Sequence, residues 1–331
     1  TPIRVAKYGI SSVISIGDDE LCEVMRKHYA QQYNLDYELI PKFSDNYRAR
    51  RITAYLNLVN EILSQQINEL KSASFEDSEE LNKYFDLLPD SHPLATDYQR
   101  MLTLTDPQEK TALQDRLKRA ITPGFIDVNI MTKLDRNNYS QTGDLLPQEF
   151  SDALSALRGF AESDLCANVV FSAGFNRRLY AYCTEFDDFF PDEFGRVKKG
   201  IILKVSDFRS SEIQGRFLAK KGLWVVEHRI ESGLNCGGHA FATTGYLIGP
   251  ILQEFKDGSA TLFQSLYETC NKSLRAENRI PFPKQAASRV TMQGGIGNAD
   301  EQSFLMTRYN VEGTGWASPF LLVPEATTLD M

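Results

Sequence analysis

From about residue 125 onward the chain alternates between short runs suited to strands and longer runs suited to helices. That alternation constrains the fold more than any other feature. Residues 125–131, 167–172, 201–205, 223–227, 289–293 and 311–316 read as strands, and residues 150–161, 210–221, 249–255, 260–274 and 301–308 read as the helices between them. Strands and helices in strict turn imply a largely parallel sheet covered by helices. Upstream, residues 10–16 suit a first strand, and Gly17-Asp18-Asp19-Glu20 would cap a helix beginning near Leu21. Tyr55, Leu58, Val59, Ile62 and Ile67 recur at helical spacing within 47–70. A further strand at 37–40 brings the count to eight, so the expectation is one α/β domain over 1–331, a (β/α)8 TIM barrel. Residues 71–120 read as a mostly helical insertion, divided by Pro89, Pro93 and Pro107, that pads the surface or covers a cleft. A Rossmann fold would place Gly-x-Gly-x-x-Gly after the first strand, and nothing near Ile16 satisfies that.

In such a barrel every strand end points to one face, so loops distant in sequence meet around one ligand. Three of the predicted strands run into glycine-bearing loops. The first leads to segment 229–239, Arg-Ile-Glu-Ser-Gly-Leu-Asn-Cys-Gly-Gly-His, where Gly237 and Gly238 let a substrate approach His239. An imidazole titrates near neutrality, which makes His239 the candidate acid or base. The second leads to Gly294-Gly295-Ile296-Gly297, whose backbone N–H groups, with the helix start at Asn298, suit a phosphate. The third passes Gly313 and Gly315 into Trp316-Ala317-Ser318, a second cradle beside the first. Lys204 interrupts an otherwise apolar strand and needs a partner; it could hold a cofactor atom, form a Schiff base or reach the rim. Asn129 is likewise a polar side chain in an apolar strand. His228, Arg229 and Glu231 could bind an anionic substrate, orient His239 or pair at the surface, and Asp207 and Arg209 could contact substrate. Cys236 has nothing to activate it and reads as a small buried hydrophobe.

A formal net charge of -8 and no concentrated basic face argue against nucleic acid. No run approaches the apolar length needed to cross a bilayer. The five cysteines are widely spaced and odd in number, which fits a reducing, cytoplasmic compartment rather than a disulfide framework, and the four histidines form no metal-binding spacing.

The residues after each late strand resemble those of the FMN-dependent nitronate monooxygenase and 2-nitropropane dioxygenase family, which also resembles flavin enoyl reductases. The family's Glu-Ala-Gly-Gly-His element is similar to 231–239, ending in Gly237, Gly238 and His239; its Gly-Gly-Ile matches Gly294, Gly295 and Ile296. Its phosphate-binding Gly-Thr falls on Ala317 and Ser318, and its Val-Asn-Leu strand on Val128, Asn129 and Ile130. The usual Pro-Met at the first strand end is missing, 71–120 is extra and the histidine loop is longer. The resemblance implies an FMN oxidoreductase acting on a small molecule with NAD(P)H or oxygen. It implies His239 as catalytic base, Lys204 beside the reduced ring, and Asn129, Gly237, Gly238, Gly294, Gly295, Ala317 and Ser318 around the cofactor. An ene reductase, a non-redox aldolase-like barrel using Lys204, and a non-catalytic binding module are the alternatives. A homo-oligomer is compatible with all of them.

Overall fold

A computed structural model of the chain describes residues 2–131, 135–172, 174–231 and 247–316, and the backbone alone of 235, 236, 239 and 240. The fold is α/β. Strands β1 (Ser12–Ile16), β2 (Ile126–Ile130), β3 (Ala167–Phe171), β4 (Lys199–Val205) and β5 (Val225–Ile230) pair in that order. A two-stranded hairpin, β6 (Asn235–Cys236) with β7 (His239–Ala240), follows β5, and β8 (Arg289–Gln293) and β9 (Gly313–Gly315) complete the main sheet. All seven strands of that sheet are parallel, each beside the strand before it in the order. The sheet is curled: residues of both edge strands, Ser12 and Val13 on β1 and Gly313 and Thr314 on β9, line one cavity.

Period-two alternation sorts the side chains onto two unlike faces. Ile14, Val128, Val169, Ile201, Leu203, Val290 and Met292 point outward and are buried beneath helices. The opposite, inner face carries Ser15, Asp127, Asn129, Asn168, Lys204, Glu227, Arg229, Thr291 and Gln293, as the register pairs Ser15↔Asn129, Lys204↔Arg229 and Arg229↔Thr291 require. Such a polar interior has to be paired internally.

The helices on the outer face follow sequence signals closely. Helix α1 (Pro2–Val5) leads into β1, and α2 (Asp19–Gln32) is capped by Asp18, whose carboxylate accepts from Leu21 N–H. Helix α3 (Tyr47–Ser72) buries a stripe that includes Ile52, Leu56, Val59 and Ile62. Within 71–120 lie α4 (Glu79–Asp86), α5 (Pro93–Thr103) and α6 (Pro107–Ala120), the latter two opened by proline in the first turn, where its missing N–H is harmless. This segment does more than pad the surface. Glu80 accepts from Lys7 and Tyr8, Tyr84 donates to the Thr122 carbonyl at 3.2 Å, and Lys83 and Leu87 wall the large cavity. Helices α7 (Asp152–Ala161), α8 (Arg177–Tyr182), α9 (Phe208–Ala219), α10 (Ile248–Ala276) and α11 (Ala299–Tyr309) cover the remaining crossovers.

Two expectations need correction. Residues 37–40 form no strand, because the Ile40 carbonyl accepts from Arg51 and the Ile40 N–H donates to Glu23; side chains take the place of a ladder. Residues 249–255 and 260–274 are one 29-residue helix, since Gly258 packs against the Phe208 ring and the helix continues through it.

Close approach of α3 to α7 depends on Gly159. A Cβ there would stand 2.7 Å from the Ala49 carbonyl oxygen and 2.8 Å from Ile52 Cβ, both on a buried helix face. Gly159→Ala is therefore expected to destabilise the protein by about 1–3 kcal/mol through overpacking, read as a lower urea midpoint at unchanged slope. A midpoint equal to wild type would show that α3 and α7 separate freely.

Candidate functional site

The inner face holds a chain of paired charges. Glu227, 0% exposed, accepts from Arg229 Nε at 2.7 Å, from Arg289 Nε at 2.7 Å and from Thr291 Oγ1 at 2.5 Å, and is ion-paired with Arg289 Nη2 at 2.6 Å. Arg229 Nη2 donates onward to Asp127 at 3.0 Å, and Asp127 also accepts from Asn168 Nδ2 at 3.1 Å. Two carboxylates and two guanidiniums thus balance. Burial opposes ionisation of Glu227, but Arg229, Thr291 and Arg289 outweigh it and hold the carboxyl below its ordinary range. Asp127 has fewer donors, so burial prevails over Arg229 and its carboxyl is raised.

This network lines a cavity of about 1220 Å³ whose walls include the first residues of β1, β2, β3, β5 and β8 together with β9. Asn129, Lys204, Gly294 and Gly295 do not line it. They lie farther along, at the carboxyl-terminal ends where parallel α/β sheets place their chemistry.

At that end Lys204 Nζ lies 3.1 Å from Glu231, which is 2% exposed and also accepts from Gln293 Nε2. Glu231 is therefore the partner that a lysine in an apolar strand required. Asn129 donates to Ser15 Oγ at 3.4 Å, while its buried Oδ1 has no partner among the described residues. Gly294 and Gly295 have φ of 90° and 69°, a left-handed pair that only glycine adopts without strain. Gly294 N–H donates to the Gly315 carbonyl at 3.2 Å and so extends the β8–β9 pairing. Its N–H is engaged, which shifts any anion cradle onto Gly295 and Ile296. The start of α11 is closed as well: Asn298 accepts from Glu301 N–H at 2.9 Å, and Glu301 accepts from Gly297 N–H at 2.7 Å. This reciprocal cap, Asn followed three residues later by Glu, was readable in the sequence and competes with an anion at that helix end.

The backbone of His239 lies in β7, opposite Cys236 in β6. Its side chain, with Gly237, Gly238, Ala317 and Ser318, falls outside the described residues.

Several neighbours have structural rather than chemical work. His228 faces the helices, not the sheet interior; it is 0% exposed, shares a hydrogen bond between Nδ1 and the Ser211 hydroxyl, and stacks on Phe263 at 5.0 Å. Burial pushes its imidazole down to about 3, so it stays neutral and out of reach of substrate. Arg229 is committed to Glu227 and Asp127. Asp207 caps α9 by accepting from Ser210 N–H at 2.6 Å. Trp316 lines the large cavity and donates from Nε1 to Thr314 at 2.9 Å. Sequence reasoning passed over Asp127, Asn168 and Arg289. The signal was there: Ile-Asp-Val-Asn-Ile, Val-Val-Glu-His-Arg-Ile and Arg-Val-Thr-Met-Gln each place polar residues on one face at period two.

Among the described residues no group of three or more His, Cys, Asp or Glu side chains is placed to hold a metal ion. No helix among them is long and apolar enough to cross a membrane. No protein-family model matches the chain, and no curated protein matches it.

Proposed function

We propose that the chain is an FMN-dependent oxidoreductase, similar to the nitronate monooxygenases, built on a (β/α)8 barrel and acting at the carboxyl-terminal end of its sheet. The observation that carries this reading is the unpartnered, buried Oδ1 of Asn129, set on the same inner face as the Lys204–Glu231–Gln293 cluster. A buried acceptor without a donor is costly and calls for a ligand group that supplies one. A flavin ring carries such an N–H. The residues present fit the cofactor in part: Asn129 would accept from the ring, Lys204 would set a positive charge beside it, and Gly295 with Ile296 would meet the phosphate. Ala317, Ser318, Gly237 and Gly238 complete the proposed cofactor contacts.

FMN, when bound, supplies two-electron redox chemistry. The protein's share is to hold Lys204 in place through Glu231 and to move a proton at the substrate carbon with His239. The proposed substrate is a small molecule with an acidic C–H, and NAD(P)H or oxygen is the second reactant.

The test is titration of the purified chain with FMN, followed by quenching of flavin fluorescence. Saturable binding is expected, with Asn129→Ala weakening it about tenfold at unchanged circular dichroism, as loss of one buried hydrogen bond predicts. Absence of quenching by either FMN or riboflavin would sink the flavin reading.

A further inference from the structure

We propose a second ligand site, separate from the flavin reading and independent of it: a pocket that takes a neutral planar ring bearing a hydrogen-bond acceptor. The pocket, about 210 Å³, lies between the loop before α3 and the hairpin at 138–146. Its volume suits one or two fused rings and excludes a whole nucleotide.

Its walls are aromatic. Phe43, Tyr47, Tyr139 and Phe150 line it, with Phe43 and Tyr47 in an edge-to-face pair at 6.0 Å. Phe43 and Tyr139 are 45% and 55% exposed, so the walls present bare ring surface. Phe43 also sits at φ 68°, a conformation that bulky residues adopt rarely and under strain. Strain of this kind gathers at ligand clamps.

The walls are fixed before any ligand arrives. Arg158 holds Asn46 Oδ1 through Nε at 3.1 Å, lies 5.1 Å over the Phe150 ring and donates to Tyr182 at 3.0 Å. Asn138 Nδ2 ties the hairpin to the Phe150 carbonyl at 2.6 Å. Rigid walls reduce the ordering cost of binding.

Two polar groups at the pocket have no hydrogen-bond partner among the described residues: the Ser155 hydroxyl, on a residue 1% exposed, and Arg48 Nε. Arg48 Nη1 is already paired with Asp19 at 3.1 Å and Asp152 at 2.6 Å. Those two carboxylates also pair with Arg51 at 2.9 Å and Arg136 at 3.2 Å, and Asp45 on the pocket wall adds a third carboxylate, so three guanidiniums meet three carboxylates while the Arg48 Nε–H remains a donor. A carbonyl or amide oxygen on the ligand can accept from either group, and an anion gains nothing extra.

Benzamide is the probe, with benzoate as its charged counterpart, both titrated into the full chain by saturation-transfer NMR. Benzamide is expected to bind, and benzoate at least about fivefold more weakly, because the Asp45 carboxylate lines the pocket and no excess of cations over carboxylates faces it among the described residues. Ser155→Ala should weaken benzamide about three- to tenfold, the value of one buried hydrogen bond. Tyr139→Ala, on the exposed hairpin, should weaken it about fivefold or more through loss of ring contact. Should Ser155→Ala fail to fold, the tyrosine variant decides alone. No transfer to benzamide at about 10 mM, tighter binding of benzoate, or wild-type affinity in folded variants would each overturn the site, 10 mM corresponding to a negligible binding free energy for a preformed pocket.

Discussion

Glu227→Gln is expected to lower the unfolding free energy by about 3–5 kcal/mol, the largest effect of any single change to the sheet interior. The carboxylate accepts three hydrogen bonds, from Arg229, Arg289 and Thr291, and pairs also with Arg289 Nη2, at a site with no exposed surface. Glutamine removes the charge and leaves Arg229 with Asp127 as its one remaining counter-ion. Urea unfolding measures the loss. The pH dependence has a definite sign: with the folded carboxyl depressed by its donors, its stabilisation is complete above the ordinary carboxylate range and disappears as pH falls through the folded value. The gap between wild type and variant should thus be constant near neutrality and close only in acid. A neutral-pH difference under about 1 kcal/mol would mean that the network is worth no more than a surface pair.

Lys199→Met is expected to remove a pH dependence of stability that lies on the alkaline side. Lys199 is 0% exposed at the start of β4, and its ammonium donates to the carbonyls of Phe160 at 2.9 Å, Ser163 at 2.7 Å and Leu165 at 2.7 Å, and to the Ser163 hydroxyl at 3.0 Å. Burial without a carboxylate partner, aided by Lys198, pushes the group down to about 8. The folded chain then releases its proton before the unfolded chain does, so this group's contribution to stability rises with pH from about 8 to the ordinary lysine value. Between pH 8 and 9 wild type should gain on the variant by about 1 kcal/mol. The buried thiols of Cys22 and Cys270, raised to about 12, oppose the trend once unfolded thiols ionise, but both proteins carry them and they cancel in the difference. At pH 7 the variant should already be less stable by about 2 kcal/mol, from carbonyls left without a donor. Parallel pH profiles for the two proteins would refute the assignment.

What the sequence disclosed and what it hid follow from range. Strands such as 126–130 and helices such as 47–72 were legible because their periodicity is local, and the start of α2 was legible because its cap, Asp18, is an adjacent residue. The absence of a strand at 37–40 was not legible, because it depends on Arg51 and Glu23 reaching in from other elements. Lys204 could be flagged as needing a partner, yet Glu231 could be identified as that partner only once β4 and β5 stood side by side. The engagement of Gly294 N–H by Gly315 is equally non-local, since the two glycines belong to neighbouring strand ends. The aromatic pocket was invisible for the same reason: its walls come from 43–48 and 138–155, which share no motif.

The crossover from β1 to β2 carries five helices, and contacts across it, such as Phe125 N–H to Ser11 Oγ, span 114 residues. Closing so long a loop costs only about 1.2 kcal/mol more than a usual crossover of roughly thirty residues, because the entropy grows with the logarithm of length. Long-range pairing of this kind is slow, however, while β3, β4 and β5 join through short connections. The first strand in the chain is thereby set to be among the last to find its place in the sheet, with its neighbour's edge exposed until it does.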